Sequence, residues 1–171
     1  EPLPRTIYHR TKLQAEALAE AAAAPAFSVR VLRMARCFPE PPERMAMFRL
    51  HRGIDARDVA SAHAALLLDE GAAFARYIAC APTPFRREDC LELATHPRSV
   101  LARRAPQLLA EFERRGWPLP LSIDRVYDSA RLRSVLGWQP RFGPDDVLQQ
   151  YAAGSIEVLP RAEWIKDRVA E

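Results

Sequence analysis

Tyr8 and Lys12 stand four residues apart in the stretch IYHRTKLQAEAL, residues 7–18. At that spacing two side chains share one face of a helix, so a phenol and an ammonium can serve one site. A free phenol ionises only near pH ~10 and is a poor acid or base at neutrality; a nearby ammonium favours its phenolate. A phenol so assisted can exchange a proton with a carbinol or carbonyl oxygen, the proton step that accompanies hydride transfer. The ammonium has donors enough to hold a ribose hydroxyl at the same time. Arginine would bring charge without that compact point donor. The chain otherwise uses arginine: of its 25 basic residues only Lys12 and Lys166 are lysine. Taken by itself, the pair also fits two half-exposed neighbours on a helix.

The pair needs a helix to hold it, and residues 6–24 supply one. Thr6 can cap its start, Ala, Leu, Glu and Gln fill its interior, and Pro25 stops it. FSVRVLRM then places Phe27, Val29 and Val31 at period two, which predicts a strand. CFPEPPER, with prolines at 39, 41 and 42, reads as a loop leaving that strand, and RGIDA as a short strand. Asp58 is expected to cap a helix running to about Glu70, with Gly71 just past its end. Val59, Ala62, His63, Leu66 and Leu67 share one face of it, which predicts His63 as a core histidine rather than a ligand. ARYIACA reads as the next strand. Beyond it the pattern turns helical: APQLLAEFERRG with Pro106 and Gly116, DSARLRSVLG between Asp128 and Gly137, and a last helix from about Pro144. Helices and strands alternate at first and helices dominate later, so the class is α/β with a helical lobe.

Composition narrows the functions. Charged residues are nearly balanced, 25 basic against 22 acidic, and they are interspersed, as in EFERR. The pI near 9.0 therefore does not make a basic face, and nucleic acid is not expected as a partner. Cys37, Cys80 and Cys90 form no C-x-x-C, and the four histidines have no ligand spacing, so no metal is expected. No apolar run is long enough to span a bilayer, no membrane partner is expected, and the reading is a reduced, cytoplasmic protein. Trp117 and Trp138 follow helix-ending glycines and are expected to be packing anchors.

YHRTKLQAEAL resembles the active-site helix of extended short-chain dehydrogenases/reductases, the NAD(P)-dependent epimerase/dehydratase family. The resemblance runs on in order. FSVRVLRMARCFPEP is similar to the strand and exit loop after that helix, HRGIDARDVASAHAALL to the segment with a D-V-A helix start, and YDSARLRSVLGWQPRFGPDDVL to the element ending at L-G-W-x-P. It covers most of residues 7–148. It implies the C-terminal part of a Rossmann-type doubly wound parallel sheet, with a smaller, mostly helical substrate-binding lobe. Residues 1–85 would end the dinucleotide-binding domain, with an excursion near 39–53, and residues 86–171 would form the lobe and tail. The cofactor implied is NAD or NADP. Tyr8 would be the catalytic acid/base, and Lys12 would hold the nicotinamide ribose and favour the phenolate. Phe38 and Pro39 would lie near the nicotinamide. Arg36 and Arg125 would meet a small-molecule substrate, with a nucleotide sugar as one class. For Arg36, an ion pair with Glu40 or Glu43 is an equal alternative. The family also implies a homodimer through the helix that carries Y-x-x-x-K.

The chain departs from the family in three respects. Its six glycines, at 53, 71, 116, 137, 143 and 154, never take the spacing of a phosphate-binding turn, and the upstream catalytic serine or threonine is missing. Where many members carry asparagine followed by an aromatic-Gly-Pro, this chain reads RCFPEP. The expectation is therefore the C-terminal portion of a longer enzyme, an epimerase, dehydratase or reductase, inactive as this piece alone. The alternative is a non-catalytic interaction module with a vestigial Tyr-x-x-x-Lys site.

Overall fold

The computed structural model describes residues 4–159; the end of the expected lobe, 160–171, lies outside the described residues, as does Lys166. The order is α1 (Ile7–Ala22), β1 (Val29–Met34), α2 (Pro42–His51), α3 (Ala56–Leu67) and β2 (Phe74–Ala79). A single 3-10 turn, Arg87–Asp89, leads into α4 (Cys90–Thr95), α5 (Pro97–Arg104), α6 (Pro106–Arg114), α7 (Ala130–Leu136) and α8 (Pro144–Ala152). β1 and β2 pair in parallel, from Val29 opposite Phe74 to Met34 opposite Ala79. The class is mixed α/β with a two-stranded parallel sheet among the described residues.

Thr6 caps α1 as expected, its hydroxyl accepting the His9 N–H at 3.3 Å. No residue of α1 is buried. The helix is held to the sheet by charge: Glu16 takes Arg33 in a two-bonded fork at 2.6 and 2.8 Å and Arg76 at 3.1 Å. The Arg33 hydrogen bonds, opposed by partial desolvation, keep the Glu16 carboxyl below its usual range. Such docking leaves the rest of the helix face open.

The first strand starts later than its pattern suggests. Phe27 lies before it, 62% exposed, and bridges back to Ala24. β2 alternates cleanly, burying Ala75, Tyr77 and Ala79.

Two cores form, and they interleave along the chain. One joins Ala35, Ile54, Ala62 and Leu66 to β2, Leu132 of α7 and Trp138. The other joins Met45, Met47 and Leu50 of α2 to Leu93, Leu101, Phe112, Trp117 and Val147. So α2 arises between the strands yet packs with the later helices, while α7 returns to the sheet. Trp117 and Trp138 are buried, as packing anchors should be. The segment read as a proline loop is open as far as Pro41 and then enters α2: Pro42 occupies the first turn, where a missing N–H costs nothing.

The expected strand at RGIDA is one parallel bridge, Arg36 to Gly53. Arg36 donates its N–H to Arg52 and accepts that of Ile54, both at 2.9 Å, while Ala81 donates to Gly53 at 2.9 Å. A Cβ on Gly53 would stand 2.8 Å from the carbonyl carbon of Phe48, so only glycine fits this crossing.

Three details of α3 differ from expectation. Its cap is Asp55, which accepts the Arg57 N–H at 2.9 Å, and it ends at Leu67, before Gly71. Asp58 is fully buried and accepts the N–H groups of Arg141 and Phe142, each at 3.0 Å, binding the turn before α8 to α3. His63 is exposed, its Nδ1 proton given to the Val59 carbonyl at 2.9 Å; the buried face is Asp58, Ala62 and Leu66 instead. On α7, Asp128 accepts the Ala130 N–H at 2.8 Å and Gly137 ends the helix at φ +65°. Trp138 then donates its indole N–H to Ser61 of α3 at 2.9 Å.

Candidate active site

Tyr8 and Lys12 lie on the open face of α1 and line a groove of about 790 Å³ with Leu13, Val31, Met34 and Tyr127. The Lys12 ammonium stands 5.6 Å from the Tyr8 ring centroid, a cation–π contact rather than a hydrogen bond to the phenol oxygen. Among the described residues Lys12 has no carboxylate partner, so its donors are open to a ligand.

Met34 and Tyr127 also line a neighbouring cavity of about 770 Å³. Its charge comes from Arg36, Arg44, Arg52 and Arg125. Two lining carboxylates, Glu43 and the buried Glu40, balance part of it: Arg36 pairs with Glu40 at 2.8 Å and Arg44 reaches it at 3.9 Å. Arg36 thus makes the ion pair that was the alternative to its expected substrate role, while still lining the cavity. Arg125 is held by its neighbour Asp124 at 2.9 Å, and that hydrogen bond raises its already high pKa. Arg52 lies 4.1 Å over the Phe48 ring and has no carboxylate partner among the described residues.

Position in the cavity is set from behind by His51. Its ring Nδ1 faces the Arg125 carbonyl at 3.0 Å, and a carbonyl only accepts, so the proton sits on Nδ1. Tyr127 returns a backbone N–H to the His51 carbonyl at 2.7 Å. Burial, with the charges of Arg52 and Arg125, drives the imidazole pKa down to about 4, although the Arg125 carbonyl and Asp124 act in the other direction.

Of the residues singled out from sequence, the structure brings Arg36 and Arg125 into one cavity and Tyr8 and Lys12 into the groove beside it. Phe38 and Pro39 stand outside both. Phe38 is exposed and lies under the Arg36 guanidinium, 5.3 Å from it. Arg44, Phe48, Arg52, His51 and Tyr127 escaped the sequence reading. Arg44, Phe48 and Arg52 recur every four residues, a helical stripe that was hidden by reading the segment as a loop.

The arrangement offers a phenol and an ammonium beside a cationic cavity. That is chemistry for proton exchange at an oxygen of a ligand whose anionic part is held a short way off. Among the described residues no group of three or more His, Cys, Asp or Glu gathers to hold a metal, and no helix is long and apolar enough to cross a membrane.

No family model matches the chain, and no curated protein matches it. Among solved structures the chain is similar to RMD from Pseudomonas aeruginosa in complex with NADPH, with TM-score 0.50 and 22% identity. The match covers 87% of this chain and 55% of that one, so the chain spans about half of that neighbour's length. At this identity the likeness establishes a shared α/β fold.

Proposed function

We propose that the chain carries the proton-transfer and substrate-binding part of an NAD(P)-dependent epimerase, dehydratase or reductase of the extended short-chain dehydrogenase/reductase type. The observation that carries this reading is the junction of two spaces. The Tyr8–Lys12 groove adjoins the arginine cavity, and Met34 and Tyr127 belong to both. The order of motifs and the fold shared with an NADPH complex support it. On this reading residues 1–85 end a Rossmann-type domain and 86–171 form the substrate lobe.

The donor set in the groove fits the nicotinamide-ribose end of NAD or NADP, since Lys12 is free to donate and Tyr8 is exposed. No glycine spacing in this chain provides a turn for the pyrophosphate. When bound, the dinucleotide supplies a hydride acceptor or donor. Tyr8 accepts a proton from a substrate hydroxyl or returns one to a carbonyl oxygen. Lys12 holds a ribose hydroxyl. Arg36 and Arg125 hold the substrate's anionic group, a diphosphate if the substrate is a nucleotide sugar. Since α1 buries nothing within the chain, it is free for the homodimer contact that the resemblance implies.

The test uses the protein as its source organism makes it, screened for NADH or NADPH oxidation against carbonyl compounds bearing phosphate groups. Arg36→Gln and Arg125→Gln should each raise KM by about tenfold or more and leave kcat nearly unchanged. Unchanged KM in both variants would separate the arginine cavity from the reaction.

A further inference from the structure

A third cavity opens where the chain leaves the C-terminal end of β2. It measures about 400 Å³, and its lining includes Cys80, Thr83, Arg86, Arg87, Cys90 and Arg133. In parallel α/β sheets, ligands bind beyond the carboxyl ends of strands. The volume is at the small end of ligand pockets, which run from about 300 to 1,000 Å³, so it suits a small metabolite rather than a dinucleotide.

Its charge is unbalanced. Three arginines line it against one acidic residue, Asp128, whose carboxylate already accepts the Ala130 N–H at 2.8 Å. Arg86 has a carboxylate partner in Glu88, at 3.6 Å. Arg87 and Arg133 have none among the described residues, and neither lies over an aromatic ring. Most arginines of this chain are engaged in one way or the other, as Arg52 is on Phe48, Arg131 on Tyr77 and Arg141 on Phe142. Two arginines without such a partner therefore line one cavity. Guanidinium forks match phosphate and carboxylate oxygens in paired hydrogen bonds. Buried Ser129 and the Thr83 side chain add polar surface to the same walls.

We infer that this cavity is a second ligand site, built for a small dianion bearing a phosphate or a pair of carboxylates. Arg87 and Arg133 clasp the anion, and Arg86 completes the ring of charge. Tyr127 lines this cavity as well as the two already described, so an occupant here touches the segment that carries Arg125. The site stands whether or not the Tyr8–Lys12 groove performs hydride transfer.

Cys90, exposed and on the cavity wall, reports occupancy. The experiment follows alkylation of Cys90 by iodoacetamide in the whole protein, with inorganic phosphate, succinate or chloride at equal ionic strength. Phosphate or succinate should slow the reaction saturably, by about fivefold or more when the site is filled. Stronger protection by phosphate identifies a phosphate ester as the ligand class, and stronger protection by succinate a dicarboxylate. Both arginines are exposed and unpaired, so Arg87→Gln/Arg133→Gln should fold normally and lose the protection. Equal rates in all three salts, or protection that survives the double substitution, would overturn the assignment.

Discussion

His51 and Arg125 clasp each other behind the arginine cavity: the imidazole gives its Nδ1 proton to the Arg125 carbonyl at 3.0 Å. The residue that faces the cavity and the residue that fixes its backbone thus lie on opposite sides of one buried hydrogen bond. The imidazole is 5% exposed, and its pKa falls from 6.5 to about 4.

That bond makes stability depend on pH with a definite sign. The folded pKa lies below the unfolded one, so the unfolded chain binds the proton more readily. The contribution of neutral His51 is full above about pH 6.5 and is lost as pH falls towards about 4. The loss approaches roughly 3 kcal/mol at the acid end. Urea midpoints between pH 7 and pH 4 should therefore drop more steeply in the wild type than in His51→Gln. Parallel curves would remove His51 as the source.

Asp58 should matter for stability and not for catalysis. It satisfies two backbone N–H groups from the turn before α8, and its removal leaves both without that acceptor. Asp58→Ala should cost about 2–4 kcal/mol by chemical denaturation, and Asp58→Asn less, because one oxygen remains. A cost under about 0.5 kcal/mol would show that the turn finds other partners.

Asp55 is a second buried node. It caps α3, takes a forked pair of bonds from Arg57 at 2.8 and 3.0 Å, and faces Arg49 at 3.1 Å. Burial raises the Asp55 carboxyl pKa, but the Arg57 donors and the Arg49 charge outweigh it and hold the group below its usual range. Arg49 and Asp55 side chains are 3% and 4% exposed. Asp55→Ala should therefore cost about 3–5 kcal/mol, chiefly by leaving the Arg49 charge buried and alone. Adding Arg49→Met to that variant should recover part of the loss; no recovery would contradict the pairing.

What could be read from the sequence, and what could not, follows from the range of the interactions involved. α1, α6, α7 and α8 were legible because their ends carry local signals: Thr6, Pro106 with Gly116, Asp128 with Gly137, and Pro144. α2 was not, because Pro39, Pro41 and Pro42 read as loop, although proline in a first turn starts helices equally well. With α2 went Arg44, Phe48 and Arg52, and hence most of the cationic wall. Asp58 reads as the cap that belongs to Asp55, since its partners, Arg141 and Phe142, lie more than eighty residues away. His63 reads as a core residue because the apolar pattern and the buried face differ by one position, a difference that only packing decides. The Tyr8–Lys12 pair was visible because four-residue spacing is itself a geometric statement. The cavity it faces was not, because it takes Tyr127 to complete it.

The most direct test of the account is the single-turnover rate of hydride transfer in Tyr8→Phe against wild type, followed by NADPH absorbance in the protein as its organism makes it. The account predicts a rate lower by about 10²–10⁴ with the NADPH dissociation constant nearly unchanged, because the substitution removes one proton-carrying oxygen from the groove. A Tyr8→Phe rate close to wild type would contradict it.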